Sequence, residues 1–248
     1  SSDEIFIKGK ILKEIIDSSS FAVSRDELKP ALTGVLFKIS PDGVTAVSTD
    51  GHRLVKYKRN DYVANSTIKD IIIPKKFLSY LSSHISGSDV SLYLEENHMA
   101  ARIKDDIILT RIISESFPNY ESVIPKDNNK RLTVSKEDLL GAIRRVSIFS
   151  NKSTHQVVLD LSSTKCSITT EDPEKSSKAR ESIPATYEGD PVLIGYNAEY
   201  LKDVITHVPN NEIVIDLNTP VSAALFSSLK KDDNIESTML LMPIRLND

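Results

Sequence analysis

Ile11-Leu12-Lys13-Glu14-Ile15-Ile16 sets two apolar doublets one helical turn apart, the stripe of an amphipathic helix. The pattern returns three times, at Phe77, Leu78 and Leu81, at Leu139, Leu140 and Ile143, and at Tyr200, Leu201, Val204 and Ile205. The first members of these groups stand 66, 62 and 61 residues apart. Each helix follows a short apolar strand and precedes three more strands. A fixed period of this size marks a duplicated supersecondary unit. Such a duplication suits a symmetric surface better than one asymmetric active site.

Outward from the first helix, Ile5 to Lys8 reads as the leading strand. Thr33 to Ile39, Val44 to Ser48 and Arg53 to Arg59 read as the trailing ones, with Pro41-Asp42-Gly43 as a turn. In the second unit Ile71 to Ile73 leads into a helix with Pro74 at its first position. Val90 to Leu94, Met99 to Ile103 and Ile107 to Ile113 follow. Phe117 to Lys130, rich in Pro and Asn, reads as a linker. The third unit has Leu132 to Val134, a helix capped by Ser135 with Asp138 three residues on, then Val157 to Leu161, Cys166 to Thr170 and Lys178 to Ile183. The fourth has Val192 to Ile194, a helix capped by Asn197, then Ile213 to Leu217, Val221 to Phe226 and Thr238 to Met242. The expected fold is α+β: two similar domains, 1–126 and 127–248, each a pair of βαβββ units laid side by side. Antiparallel sheets lie outside, and two helices lie on the inner face.

Apolar residues make up 40% of the chain, enough for packed cores. Lys and Arg number 31 against 35 Asp and Glu, so the chain is not globally basic. Any contact with nucleic acid is therefore confined to one face. The single cysteine, Cys166, excludes an internal disulfide and a cysteine-rich metal site, and its strand-like neighbours give it a buried apolar role. No apolar run reaches the length of a membrane span, and the N-terminus lacks an export signal. The sequons Asn65-Ser66-Thr67 and Asn151-Lys152-Ser153 read as chance matches, and a reducing, cytoplasmic setting is expected. The helical stretches hold an excess of Lys and Arg although the whole chain is at −4. Two readings fit: ordinary solvated helix faces, or a surface that meets phosphates without regard to sequence.

Chemistry is absent in an informative way. There is no Walker loop, GxGxxG, HExxH or cysteine pair, only 8 glycines, and five histidines without ligand spacing, so no metal or cofactor is expected. The densest local signal is Ser48-Thr49-Asp50-Gly51-His52-Arg53-Leu54, which by itself is a hairpin turn. It is preceded by Leu28-Lys29-Pro30-Ala31-Leu32-Thr33-Gly34-Val35-Leu36-Phe37. Phe117-Pro118-Asn119-Tyr120 with Val123-Ile124-Pro125 follows, and Met242-Pro243-Ile244-Arg245-Leu246 stands near the end. In this order the segments closely resemble the bacterial replicative sliding clamp, the beta subunit of DNA polymerase III, from about Ile5 to Leu246.

The resemblance implies the DNA-clamp fold and a non-catalytic processivity factor. It would tether the replicative polymerase to duplex DNA and bind polymerase, clamp loader and repair proteins through short linear peptides. The family has three similar domains, and two chains close head-to-tail into a ring. The present chain matches the second and third domains, so it is expected to be a fragment with impaired ring closure. The family's hydrophobic peptide pocket between these domains maps to Leu32, Thr49, Gly51, His52, Arg53, Leu54, Pro118, Val123, Tyr200 and Val221, and to Leu240, Leu241, Met242, Pro243, Ile244, Arg245 and Leu246. Leu32, Leu54, Val123 and Val221 would form the floor, Tyr200 and Met242 adaptable walls, and Arg53 and Arg245 would orient a peptide of the QLxLF type. Ser122 stands where many relatives have arginine, and Asn247-Asp248 extends past the usual last leucine. DNA-facing candidates by position are Lys10, Lys13, Lys75, Lys76, Lys136 and Lys202 on the helices, with Arg25 and Lys29 in the loop before Leu32. Two other readings stay open: a complete two-domain subunit forming a trimeric ring, and a nucleic-acid enzyme on a duplicated domain.

Overall fold

The computed structural model describes residues 3–62 and 68–246. The sequon Asn65-Ser66-Thr67 and the extension Asn247-Asp248 lie outside them. Two compact units result: Ser1–Tyr120 with Asp232–Ser237, and Glu121–Lys231 with Thr238–Asp248.

In the first unit the order is β1 (Asp3–Ile7), α1 (Gly9–Ser19), β2 (Gly34–Ser40), β3 (Gly43–Thr49), β4 (Arg53–Arg59), β5 (Ile68–Pro74), α2 (Lys75–His84), β6 (Val90–Leu94), β7 (His98–Ile103) and β8 (Asp106–Arg111). Its strands form two antiparallel layers, β1-β6-β7-β8 and β5-β2-β3-β4. The repeats are thus not self-contained. β1 opens the first repeat but pairs with β6 of the second, Ile5 opposite Leu92. β5 opens the second but pairs with β2 of the first, Val35 opposite Ile73. Sequence periodicity reveals that a unit is duplicated, but not which copy a strand pairs with. Each repeat therefore completes the other's sheet.

The helices bury the stripes expected of them: Leu12, Ile15 and Ile16 on α1, Phe77, Leu78 and Leu81 on α2. They run antiparallel. Gly9, at the start of α1, lies so close to the segment after α2 that a Cβ would sit 1.9 Å from the Ser88 carbonyl oxygen. Glycine is required there by close approach alone. Pro74 falls at the N-cap of α2 with φ −57°, one place before its expected position. The fixed proline φ suits either site.

The second unit repeats the plan with β9 (Lys130–Ser135), α3 (Lys136–Val146), β10 (Gln156–Ser162), β11 (Lys165–Asp172), β12 (Ser177–Pro184), β13 (Thr186–Glu188), β14 (Val192–Asn197), α4 (Ala198–His207), β15 (Glu212–Leu217), β16 (Ala224–Ser228) and β17 (Ile235–Leu241). Here too β9 pairs with β15, and β14 with β10. The three-residue β13, which extends the β9 edge, was not expected from the sequence. Both predicted caps form: Ser135 Oγ accepts from the Asp138 N–H, and Asn197 Oδ1 from those of Glu199 and Tyr200. The expected linker holds a short 3-10 turn at Tyr120–Val123, and its last residue, Lys130, already begins β9.

Candidate functional site

The loop joining β3 to β4 is held by its own side chains. Asp50 Oδ1 accepts the N–H groups of His52 (2.9 Å) and Arg53 (3.0 Å), while Oδ2 accepts Arg53 Nε at 3.1 Å. Thr49 Oγ1 donates to the Arg53 carbonyl (2.7 Å) and accepts the Gly51 N–H (3.1 Å). Gly51 takes φ +90°, which only glycine adopts without strain. Asp50 and Arg53 are both nearly buried, and the Arg53 guanidinium lies 5.7 Å from the centre of the Phe21 ring. Arg53 therefore serves the turn. What the turn presents to solvent is Gly51 and His52. Leu54 is a core residue at 2% exposure, Leu32 is half-buried, and Pro118 is exposed. Asp50 and Phe21, which organise this hairpin, were absent from the expected site. The Asp at the first turn position was a usable signal for Asp50, since its side chain can bond the backbone two residues on.

In the second unit the Met242–Leu246 segment is ordered. The Ile244 N–H donates to the Gly195 carbonyl at 2.8 Å, an isolated antiparallel bridge on the free edge of β14. A Cβ on Gly195 would stand 2.6 Å from Leu246 Cδ2 and 3.0 Å from the Ile244 oxygen. The missing side chain of Gly195 is thus the seat of the segment. Leu240 and Leu241, the end of β17, are core residues; Met242 and Arg245 are exposed, and Pro243, Ile244 and Leu246 are half-buried. Tyr200, half-buried, sits in the first turn of α4, three residues after the Asn197 cap. Val221 is exposed on the turn closed by Thr219 and Ser222, and Val123 is exposed at the end of the 3-10 turn. Gly195 was missed in the sequence, although a lone glycine in a strand pattern signals close backbone approach.

The expected DNA-facing cations differ in how far they are engaged. Lys13 bonds the Ser82 carbonyl and hydroxyl and pairs with Asp17 at 3.1 Å. Lys136 donates to the Thr206 and Val208 carbonyls (2.8 and 2.7 Å) at the end of α4; burial lowers its pKa. Lys202 pairs with Glu199 at 2.7 Å. Lys10, Arg25, Lys29 and Lys76 are exposed, and Lys75 is half-buried.

Cys166 is buried, and desolvation pushes its thiol up to about 12, as suits an inert core residue. Among the described residues no group of His, Cys, Asp or Glu could hold a metal ion, and no helix is long and apolar enough to cross a membrane.

Sheets of this pairing over two antiparallel helices, built twice, define a clamp fold. Among solved structures, the sliding clamp of Bartonella birtlesii bound to griselimycin matches with a TM-score of 0.91 and 28% identity, over 98% of this chain and 66% of that one. The DNA polymerase III subunit beta of Pseudomonas aeruginosa matches with a TM-score of 0.92 and 27% identity, over 99% and 67%. The beta sliding clamp of Pseudomonas putida is 30% identical over 237 residues, which are 95% of this chain and 64% of that protein. That of Chlamydia muridarum is 28% identical over 239 residues. The family model for the DNA polymerase III beta subunit central domain matches residues 6–119, and that for its C-terminal domain matches residues 121–245. The chain belongs to the DNA polymerase III beta subunit family, the sliding clamps. It spans just under two thirds of the length of the curated relatives it matches.

Proposed function

We propose that the chain acts as the central and C-terminal part of a sliding clamp, a non-catalytic tether that holds replication and repair proteins on duplex DNA in the cytoplasm. The observation that carries this reading is the consecutive match of both domain models along almost the whole chain. Partner proteins bind through short linear peptides of the QLxLF type. The candidate receiving surfaces are, in the first unit, the exposed tip of the β3–β4 hairpin and, in the second unit, the Met242–Leu246 segment with Tyr200, Val123 and Val221. Arg245, exposed, orients the peptide's polar end, while Arg53 keeps the hairpin in shape. Helix cations meet phosphates weakly and without sequence preference. Other clamp domains join these two in the assembled ring.

Two kinds of observation support the peptide surface. The hairpin tip and the C-terminal segment are both held by specific contacts rather than left loose, which lowers the entropic cost of binding. Large apolar groups also stand exposed there: Met242 at 40%, Val221 at 51% and Val123 at 55%. The test is fluorescence polarisation with a labelled QLxLF peptide. Met242→Ala and His52→Ala, both surface changes, should each weaken binding about tenfold, as expected where a few side chains carry the energy. Undiminished binding in both variants contradicts the assignment.

A further inference from the structure

The pairing of β15 with β16 ends at Asp216 opposite Leu225, and the chain then turns through Asn218-Thr219-Pro220-Val221-Ser222-Ala223. Within the turn the Ser222 N–H donates to the Thr219 carbonyl (3.3 Å), and Ser222 Oγ accepts the Thr219 N–H (2.9 Å). Pro220 takes the second position, where its fixed φ suits the turn. These bonds shape the tip of the loop. They do not reach its mouth, where the two strands part.

The mouth is bridged by a residue from outside the hairpin. The Asn128 amide nitrogen donates to the Asp216 carbonyl at 2.9 Å and to the Ala223 carbonyl at 3.2 Å, one on each side of the opening. Both acceptors are carbonyl oxygens, so the nitrogen of the amide, not its oxygen, must face them. Asn128 Oδ1 is buried and has no hydrogen-bond partner among the described residues. A buried acceptor without a partner is costly, so the bridge is what this side chain supplies in return. Its neighbours extend the splint. Lys130 Nζ donates to the Asn218 carbonyl (2.8 Å), and Asn218 Nδ2 donates back to the Asp127 carbonyl (3.2 Å). Lys130 opens β9 and stands opposite Leu217, so residues 127–130 run along one side of the loop. Val221 projects from the tip at 51% exposure.

We infer that Asn128 is a positioning residue for partner binding: its amide fixes the mouth of the 217–223 loop, so that Val221 meets the peptide in one place. This rests on the reading of Val221 as part of a peptide-receiving surface. A loop free to wander would have to be ordered at each binding event, and that cost would be subtracted from the affinity. Asn128 acts through Val221 alone. Its nitrogen is occupied by the loop and its Oδ1 is enclosed, so neither is open to a ligand.

The experiment is fluorescence polarisation of a labelled QLxLF peptide, with amide hydrogen exchange of each variant. Asn128→Asp keeps the side chain's shape but turns an oxygen toward two carbonyls, and should weaken binding about fivefold. Asn128→Ala removes the bridge without the repulsion and should weaken binding about threefold, which covers the case of an Asp variant that folds poorly. Val221→Ala should weaken binding about tenfold, and adding Asn128→Asp to it should change the affinity by less than about twofold. Exchange should quicken at Val221, Ser222 and Ala223 and stay the same at Ile213, Val214 and Ile215, a pattern that a general loss of stability does not give. If Val221→Ala weakens binding but both Asn128 variants bind as the unaltered chain does, the positioning role is wrong while the peptide surface stands. Equal losses from Asn128→Asp with and without Val221 also overturn it. If the unaltered chain does not bind the peptide, the surface fails and the positioning role with it.

Discussion

Single residues decide whether the hairpin tip and the C-terminal segment hold their shape. At Gly195 an added methyl group would meet Leu246 Cδ2 at 2.6 Å and the Ile244 oxygen at 3.0 Å. Leucine can swing aside, but the backbone oxygen has to move. Gly195→Ala should therefore lift the C-terminal segment from β14, a strain of about 1–3 kcal/mol confined to that segment. Peptide affinity should fall, carboxypeptidase should trim the C-terminus faster, and the melting temperature should barely change. Asp50 has the opposite profile. Its carboxylate accepts three hydrogen bonds from His52 and Arg53, and its removal breaks a nearly buried ion pair. Asp50→Ala should cost about 3 kcal/mol in urea unfolding. Asp61 gives the acid limb. The hydrogen bond from Arg59 holds its carboxyl below the usual carboxylate range. The resulting stability is complete above the unfolded pKa of about 3.9 and is lost as pH falls through the lower folded value. Asp61→Asn should flatten the loss of stability below about pH 4.

At the scale of elements, what could be read beforehand was what local chemistry determines. The four apolar stripes, the Ser135 and Asn197 caps and nearly every strand follow from residues within one turn or one hairpin of each other. Asn197→Ala should cost about 1 kcal/mol, because two backbone N–H groups at the start of α4 lose their acceptor; differential scanning calorimetry checks it. What could not be read was pairing at long range. β1 and β5 look like the first strands of independent repeats, yet each completes the other repeat's sheet. Nothing in a strand's own residues names its partner, so the exchange is invisible in the repeat. The same holds for the site. The hairpin at Asp50-Gly51 announces itself through turn chemistry, whereas the seating of Leu246 on Gly195 joins residues 51 apart and needed coordinates. Similarly, Lys136 resembles any surface lysine until its ammonium is seen against the Thr206 and Val208 carbonyls.

For the whole molecule, the duplicated plan points the same way as the family match. A clamp needs surfaces, and this chain devotes its ordered irregular segments to presenting a few side chains. The account stands on partner peptides meeting those segments. The decisive measurement is a titration of the isotope-labelled chain with a QLxLF peptide, followed through its backbone amide spectrum. The account predicts saturable shifts at Gly51, His52, Val221 and Met242 through Leu246, with the amides of α1 and α2 undisturbed. Shifts confined to other residues, or no saturable change at high peptide concentration, would contradict it.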